Sequence, residues 1–70
     1  MNRKHIVSSN ISSIGYDVNN KILEIEFKNG SIYQYFNVPS NVFDKLMSVS
    51  SQGNYFYHNI KNTYDYKHFV

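Results

Sequence analysis

The chain has 70 residues, with seven basic and five acidic side chains and a formal net charge of +2. A chain of this length supports one domain with a small core, so residues 1–70 are expected to form a single domain. It contains no cysteine, which excludes disulfides and thiolate zinc sites and favours a reducing, cytoplasmic location. No apolar run approaches the about 20 residues of a membrane span, so no membrane partner is expected.

The segment KILEIEFKNGSIYQYFNV, residues 21–38, predicts a β-hairpin that turns at Asn29-Gly30. Asn-Gly favours a two-residue type I′ turn because both residues tolerate a positive φ. Side chains alternate between the two faces of a strand, so this turn also predicts which residues share a face. The predicted core face carries Leu23, Ile25, Phe27, Ile32 and Phe36.

The same register places two tyrosines on the outer face of the hairpin. Tyr33 lies opposite Glu26, and Tyr35 lies opposite Glu24. Aromatic rings side by side on a sheet are typical of proteins that stack single-stranded bases, whereas facing carboxylates repel phosphate. Alternatively, the second helix or the chain's tail covers this face and the rings form a minor core. Both interpretations stay open at this point.

A strand over residues 10–17 is predicted to precede the hairpin, with a turn at residues 19–20. Asn and Asp favour such a turn because they tolerate left-handed conformations and bond to their own backbone. In this register Gly15 lies opposite Glu24 on the outer face. A glycine there leaves room for the ring of Tyr35 or marks a bulge.

Two short helices are predicted after the strands. Ser40 is the expected N-cap of the first helix, and Ser51 is the expected N-cap of the second. The fold class is therefore α+β, a three-stranded antiparallel β-meander followed by two short helices packed on the sheet. Residues 1–7 form an arm, flexible or joined late to the sheet, and residues 65–70 form a C-terminal tail whose aromatic rings pack back. The apolar faces of the two helices carry Val42, Phe43, Leu46 and Met47, then Phe56, Ile60 and Tyr64.

A series of short motifs occurs in a particular order between Val7 and Tyr64. They are Ser8–Ile11, Ile14–Asp17, Leu23–Phe27, Asn29-Gly30, Tyr33–Tyr35, Val38-Pro39, Ser51–Gly53, Tyr55-Phe56, Ile60-Lys61 and Tyr64. Their order and spacing resemble the KTSC domain family, found at the C-terminus of some lysyl-tRNA synthetases and as free-standing small bacterial and phage proteins. The resemblance implies a compact module without established catalysis, for which RNA binding has been proposed.

The second helix carries a candidate basic and aromatic edge. Lys61, Tyr57 and His58 provide a cation and rings of the kind that contact nucleic acid, although a solvated helix face has the same composition. Ser51 and Asn54 at the start of that helix form either an anion pocket or a cap. The expected RNA- or ligand-binding residues are therefore Tyr33, Tyr35, Tyr57, His58, Lys61, Ser51 and Asn54.

Motifs for catalysis are missing from the sequence. The three histidines are dispersed, no nucleophile has an oriented base, and three isolated glycines form no phosphate loop. We therefore expect no catalytic residue, no metal and no cofactor. The predicted function is a non-enzymatic module that binds RNA or a nucleotide-like anion. The alternative is a protein–protein interaction or adaptor module, phage-encoded or homo-oligomeric, that binds no nucleic acid.

Overall fold

The computed structural model describes residues 1–70 and contains five strands and two helices. All neighbouring strands are antiparallel, and their order in the sheet follows their order in the chain. No helix is long and apolar enough to cross a membrane. The elements are β1 (Arg3–His5), β2 (Ile11–Asp17), β3 (Ile22–Phe27), β4 (Ile32–Tyr35), α1 (Ser40–Ser48), α2 (Gln52–Asn59) and β5 (Tyr66–His68).

The α+β class and the central three-stranded meander are confirmed, but the sheet has five strands instead of three. The additional strands, β1 and β5, come from the segments predicted as an arm and a tail. Each has only three residues, RKH and YKH, and neither shows the alternating apolar pattern by which a strand is recognised. Both lie at the edges of the sheet, where pairing with one neighbour is enough to hold them.

The predicted register between β2 and β3 is confirmed. Tyr16 pairs with Leu23, and Gly15 pairs with Glu24. The turn between these strands is held by Asp17, whose Oδ1 accepts the backbone N–H groups two and three residues further along at 3.1 and 3.2 Å. This is the local bonding that the Asp and Asn residues of the turn predict.

The predicted register between β3 and β4 is wrong by one residue. The turn contains three residues, Lys28–Gly30, and Gly30 alone among them has a positive φ, 93°. A type I′ turn needs a positive φ at Asn29 as well. The Gly30 N–H donates to the Phe27 carbonyl at 2.9 Å, and the Phe27 N–H donates to the Ser31 carbonyl at 2.8 Å. The hairpin therefore turns through a bulge at glycine.

This one-residue shift exchanges the two faces of β4. Tyr33 pairs with Ile25 and Tyr35 pairs with Leu23, so both tyrosines lie on the core face. Ile32, which was predicted for the core, faces outward beside the glutamates of β3. The predicted outer-face position of the two tyrosines is therefore wrong, because a strand's side chains alternate and any odd shift inverts them.

A second irregularity lies in β2, between Ile11 and Ser13. Ile11 pairs with Phe27 on the core face, whereas Ser13 pairs with Glu26 on the outer face. Two residues that would share a face in a regular strand are thus separated by a bulge. The buried core comprises Ile11, Ile14, Leu23, Ile25, Tyr35, Val38, Leu46, Phe56 and Ile60.

The two helices cover the core face of the sheet. Ser51 is the N-cap of α2 as predicted, since its Oγ accepts the Asn54 N–H at 3.3 Å. Ser40 is not a cap: the N-cap of α1 is Pro39, which makes no side-chain capping hydrogen bond. Leu46 is the buried residue of α1, and its predicted apolar neighbours on that helix are partly buried against the same core.

A polar network occupies the outer face of the sheet. Arg3 of β1 crosses Gly15 and donates from Nη1 to Glu24 Oε2 at 2.5 Å, and Gln34 donates to the other oxygen of Glu24 at 2.7 Å. Burial raises the pKa of Glu24, but the hydrogen bonds from Gln34 and Arg3 and the Arg3 charge outweigh it, and the net pKa is lowered. Gly15 thus makes room for the N-terminal segment and not for the ring of Tyr35.

We predict that Gly15→Ala destabilises the fold by detaching β1. A Cβ atom at this position would lie 2.7 Å from the Asn2 carbonyl oxygen and 2.9 Å from Arg3 Cγ. Such overpacking costs about 1–3 kcal/mol of unfolding free energy, measured by urea denaturation. Gly53→Ala is the matched control, because its Cβ would meet only Ser8 Oγ at 3.5 Å and alanine favours the helix. Equal midpoints for Gly15→Ala and the parent would contradict the assignment.

A second prediction concerns acid stability. Because the folded-state pKa of Glu24 lies below its ordinary value of 4.5, its ionised form stabilises the fold above that value. This contribution is lost as the pH falls through the lower folded pKa. Glu24→Gln should therefore be less stable than the parent at neutral pH and lose less stability on acidification. Parallel curves of unfolding free energy against pH for the two proteins would rule out this role.

Candidate functional site

A cleft of about 430 Å³ opens where the β3–β4 turn, the start of β2 and α2 meet. It lies on the core face of the sheet, at the end toward which β3 runs. Aromatic side chains form its floor, and short polar side chains form its mouth. The floor includes Phe27, Tyr33, Tyr35 and Phe56, and the mouth includes Ser9, Asn10, Asn29 and Ser31.

The floor is a packed aromatic cluster. The ring of Phe56, from α2, meets Phe27 at 5.5 Å and Tyr35 at 5.3 Å between centroids, both in edge-on arrangements. Only 3% of Tyr35 is exposed. Burial, followed by the nearby phenols of Tyr33 and Tyr66, raises the pKa of Tyr35 to about 12. Tyr35 is therefore a neutral core residue that closes the bottom of the cleft.

One face of the Tyr33 ring is covered by another side chain. The ring of His68, from β5, stacks on it with centroids 4.3 Å apart and planes within 1° of parallel. Tyr35 lies beside it at 6.3 Å, so the side-by-side tyrosines predicted from the spacing are present. The rings are covered by the tail and by the second helix, as in the predicted alternative, but they lie on the core face and not on the outer face for which that alternative was made. Tyr33 contributes to the floor of the cleft without offering a bare stacking platform.

The charges around the cleft are all positive. Lys28 of the turn and Lys61, which follows α2, both line it, and no Asp or Glu does. The Lys61 ammonium lies over the ring of Tyr57 at 5.0 Å from the centroid, a cation–π contact that holds the lysine beside the cleft. Tyr57 itself is 57% exposed, which makes it the accessible ring of the site.

The carboxylates that sequence reasoning placed across from the tyrosines lie on the opposite face of the sheet. Glu24 is bound by Arg3, and Glu26 accepts a hydrogen bond from Ser13 at 2.9 Å. The shifted register thus separates the acidic and the aromatic residues of the hairpin. The electrostatic objection to anion binding at the tyrosines is therefore removed.

The structure divides the residues predicted for the site into two groups. Ser51, Asn54 and His58 line a separate groove of about 240 Å³ beside Tyr55. The Ser51 hydroxyl already caps α2 by accepting the Asn54 N–H. The Ser8 hydroxyl likewise accepts the backbone N–H groups of Asn10 and Ile11, both at 3.3 Å. The residues brought together in the main cleft are Tyr33, Tyr35, Tyr57 and Lys61.

Sequence reasoning missed the contribution of the β3–β4 turn and of the residues before β2. Lys28 was not among the residues predicted for the site, and Asn29 was treated only as a turn residue. The two segments meet because the Lys28 N–H donates to the Asn10 carbonyl at 2.8 Å. The motif Ser8–Ile11 marked the segment before β2 in the sequence. Its contact with the β3–β4 turn could not be predicted, because that contact depends on the bulge in β2. No cluster of three or more His, Cys, Asp or Glu side chains is positioned to hold a metal ion.

Comparison with known proteins relates the whole domain to one family. The KTSC domain model matches residues 7–64. The crystal structure of a KTSC domain protein from Yersinia pestis superposes with a TM-score of 0.93 at 38% identity, covering 99% of this chain and 97% of that one. An uncharacterized protein of Stutzerimonas stutzeri is 41% identical over 56 residues, which are 80% of this chain and 79% of that protein.

A segment of a larger enzyme is also similar. A lysine–tRNA ligase of Nostoc is 39% identical over 57 residues, which are 81% of this chain. The match spans 10% of the length of the ligase. The similarity therefore concerns one module of that enzyme and not its whole chain.

Proposed function

This chain belongs to the KTSC domain family, and we propose that it is a small non-enzymatic module that binds RNA or a nucleotide-like anion in the cleft. One observation carries the proposal: Lys28 and Lys61 line an aromatic cleft that contains no carboxylate. The similarity to part of a lysine–tRNA ligase, an enzyme named for an RNA substrate, supports it.

The roles of the cleft residues follow from their chemistry. Lys28 and Lys61 supply the cations that attract phosphate. Tyr57 supplies an exposed ring, and base–aromatic stacking contributes about 1–3 kcal/mol per base. Tyr33 and Tyr35 form part of the packed floor that holds the hairpin in place beneath the ligand.

The distribution of charge across the sheet favours the same ligand class. The two glutamates of β3 face away from the cleft, and Glu24 is neutralised by Arg3. An anion on the core face therefore meets two lysines while the sheet separates it from the acidic network.

We predict that Lys61→Ala weakens binding of short single-stranded RNA and reduces its salt dependence. The measurement is an amide-shift NMR titration of the labelled protein, repeated at several salt concentrations. Loss of one phosphate contact lowers the slope of log affinity against log salt concentration by about 0.7. Shifts are expected at the cleft, including Tyr57 and Lys28.

Lys45→Ala is the control for charge alone. Lys45 is exposed near the end of α1, outside the cleft, and its removal changes the net charge equally. Its slope should match that of the parent protein. Equal slopes for Lys61→Ala and Lys45→Ala would remove Lys61 from the site, and an absence of RNA-dependent shifts in the parent would refute RNA binding.

A second candidate function, self-association, is favoured by the exposed edge of β5. This strand has no neighbour on its outer side. Tyr66 is 58% exposed, Phe69 is 49% exposed and Val70 is 71% exposed. An open edge flanked by apolar side chains is suited to pairing with a second copy of the chain.

Sedimentation velocity over a range of protein concentrations tests this candidate. If β5 pairs with a second copy, the parent should dimerise with concentration and Phe69→Lys should remain monomeric. Val18→Lys is the control, because Val18 is 64% exposed in the turn between β2 and β3, away from this edge. A monomer at every concentration would eliminate the candidate.

A further inference from the structure

We infer that the cleft accommodates a single nucleotide bearing a terminal phosphate monoester, either free or at the end of an RNA strand, and not a run of nucleotides. This inference rests on the proposed function and specifies its ligand. Three features carry it: the size of the cleft, the number of cations in it, and the positions of the remaining cations of the chain.

The size of the cleft suits a small ligand. Its volume of about 430 Å³ is near the lower end of the roughly 300–1,000 Å³ of small-molecule sites. It is bounded by the β3–β4 turn on one side and by α2 on the other, with Phe56 closing the floor. A groove for single-stranded RNA instead follows the backbone over about 4–16 nucleotides.

The charge of the cleft matches a terminal phosphate. Two cations, Lys28 and Lys61, line it without an acidic residue. A phosphate monoester carries about −1.5 to −2 charges at neutral pH, because its second pKa is about 6. An internal phosphodiester carries only one. Two lysines around one cleft therefore complement a chain-end phosphate better than a phosphodiester.

The other cations do not extend the site into a track. Lys21 precedes β3 and Lys28 follows it, so these two lysines stand at opposite ends of a strand about 20 Å long. Arg3 is engaged by Glu24 on the outer face, and Lys67, in register with Gln34, lies on that face as well. The two remaining lysines, Lys4 on the edge strand β1 and Lys45 on α1, do not line the cleft. A longer strand leaving the cleft would thus meet no continuous row of phosphate-binding side chains.

The polar mouth provides contacts for the sugar and base. The Asn29 side-chain carbonyl accepts the Ser31 N–H at 2.9 Å, which leaves the amide NH₂ of Asn29 available as a donor. Asn10 and Ser9 lie on the same rim. With Tyr57 as the exposed ring, the site combines two cations, a ring for stacking and neutral hydrogen-bonding groups within one cavity.

The test is isothermal titration of the full chain with nucleoside monophosphates, the parent nucleosides and inorganic phosphate. A second series uses RNA oligomers of two to eight nucleotides, each with a phosphorylated end and with a hydroxyl end. We expect nucleotides to bind. Nucleosides should bind at least about tenfold more weakly, because they lack the phosphate that accepts charge-assisted hydrogen bonds. Oligomers should require the terminal phosphate, and their affinity should be independent of length.

Variants locate the ligand. Lys28→Ala and Lys61→Ala should each weaken nucleotide binding by about tenfold, the cost of one charged hydrogen bond, whereas Lys45→Ala should not. Lys28 and Lys61 are both exposed, so neither substitution is expected to unfold the domain. Binding of the free nucleotide, of the phosphorylated RNA end or of both supports the inference, and the comparison identifies the source.

The failure of this inference is distinguishable from failure of the proposed function. If hydroxyl-ended RNA binds and affinity rises with length while nucleotides give no heat, the single-nucleotide site is wrong and RNA binding stands. If neither nucleotides nor oligomers bind, both are wrong. Binding of inorganic phosphate as tight as that of nucleotides would overturn the assignment of a nucleotide and leave an anion site.

Discussion

The bulged turn at Gly30 is the constraint on which the rest of the structure depends. Gly30 has a φ of 93°, which glycine adopts without steric cost. The bulge at this residue lengthens the turn to three residues. This one residue places Tyr35 in the core, where only 3% of it remains exposed. A two-residue turn would instead place Tyr35 on the outer face and turn Gln34 toward the core, because a shift of one residue inverts every side chain of the strand.

The turn also sets the electrostatics of the molecule. With Tyr33 and Tyr35 on the core face, the glutamates of β3 are left on the outer face with Arg3. Gly15 makes this possible from the other side, since any side chain there would collide with the N-terminal segment. The sheet then separates an acidic network that is internally paired from a cleft that carries only positive charge. The site is therefore a consequence of register as much as of residue type.

Much of the fold could be predicted from local patterns. The β2–β3 register followed from the turn residues, and the α2 cap followed from Ser51. The predictions that were wrong have a common cause. Asn29-Gly30 favours a two-residue turn locally but is also compatible with a three-residue turn that has glycine at its end, and Ser40 was displaced as the N-cap by Pro39. In each case the local sequence allows a second solution, and packing with the rest of the chain selects it.

Local propensity and hydrophobic periodicity, which act over a few residues, were enough to specify the α+β class, the central meander, the two helices and the family resemblance. Tertiary structure decided which face the tyrosines occupy, that the short segments around Arg3 and His68 become strands, and that Lys28 and Lys61 share one cleft. These features depend on contacts between distant parts of the chain. Their free energy comes from core packing and edge pairing, which no single segment of the sequence contains.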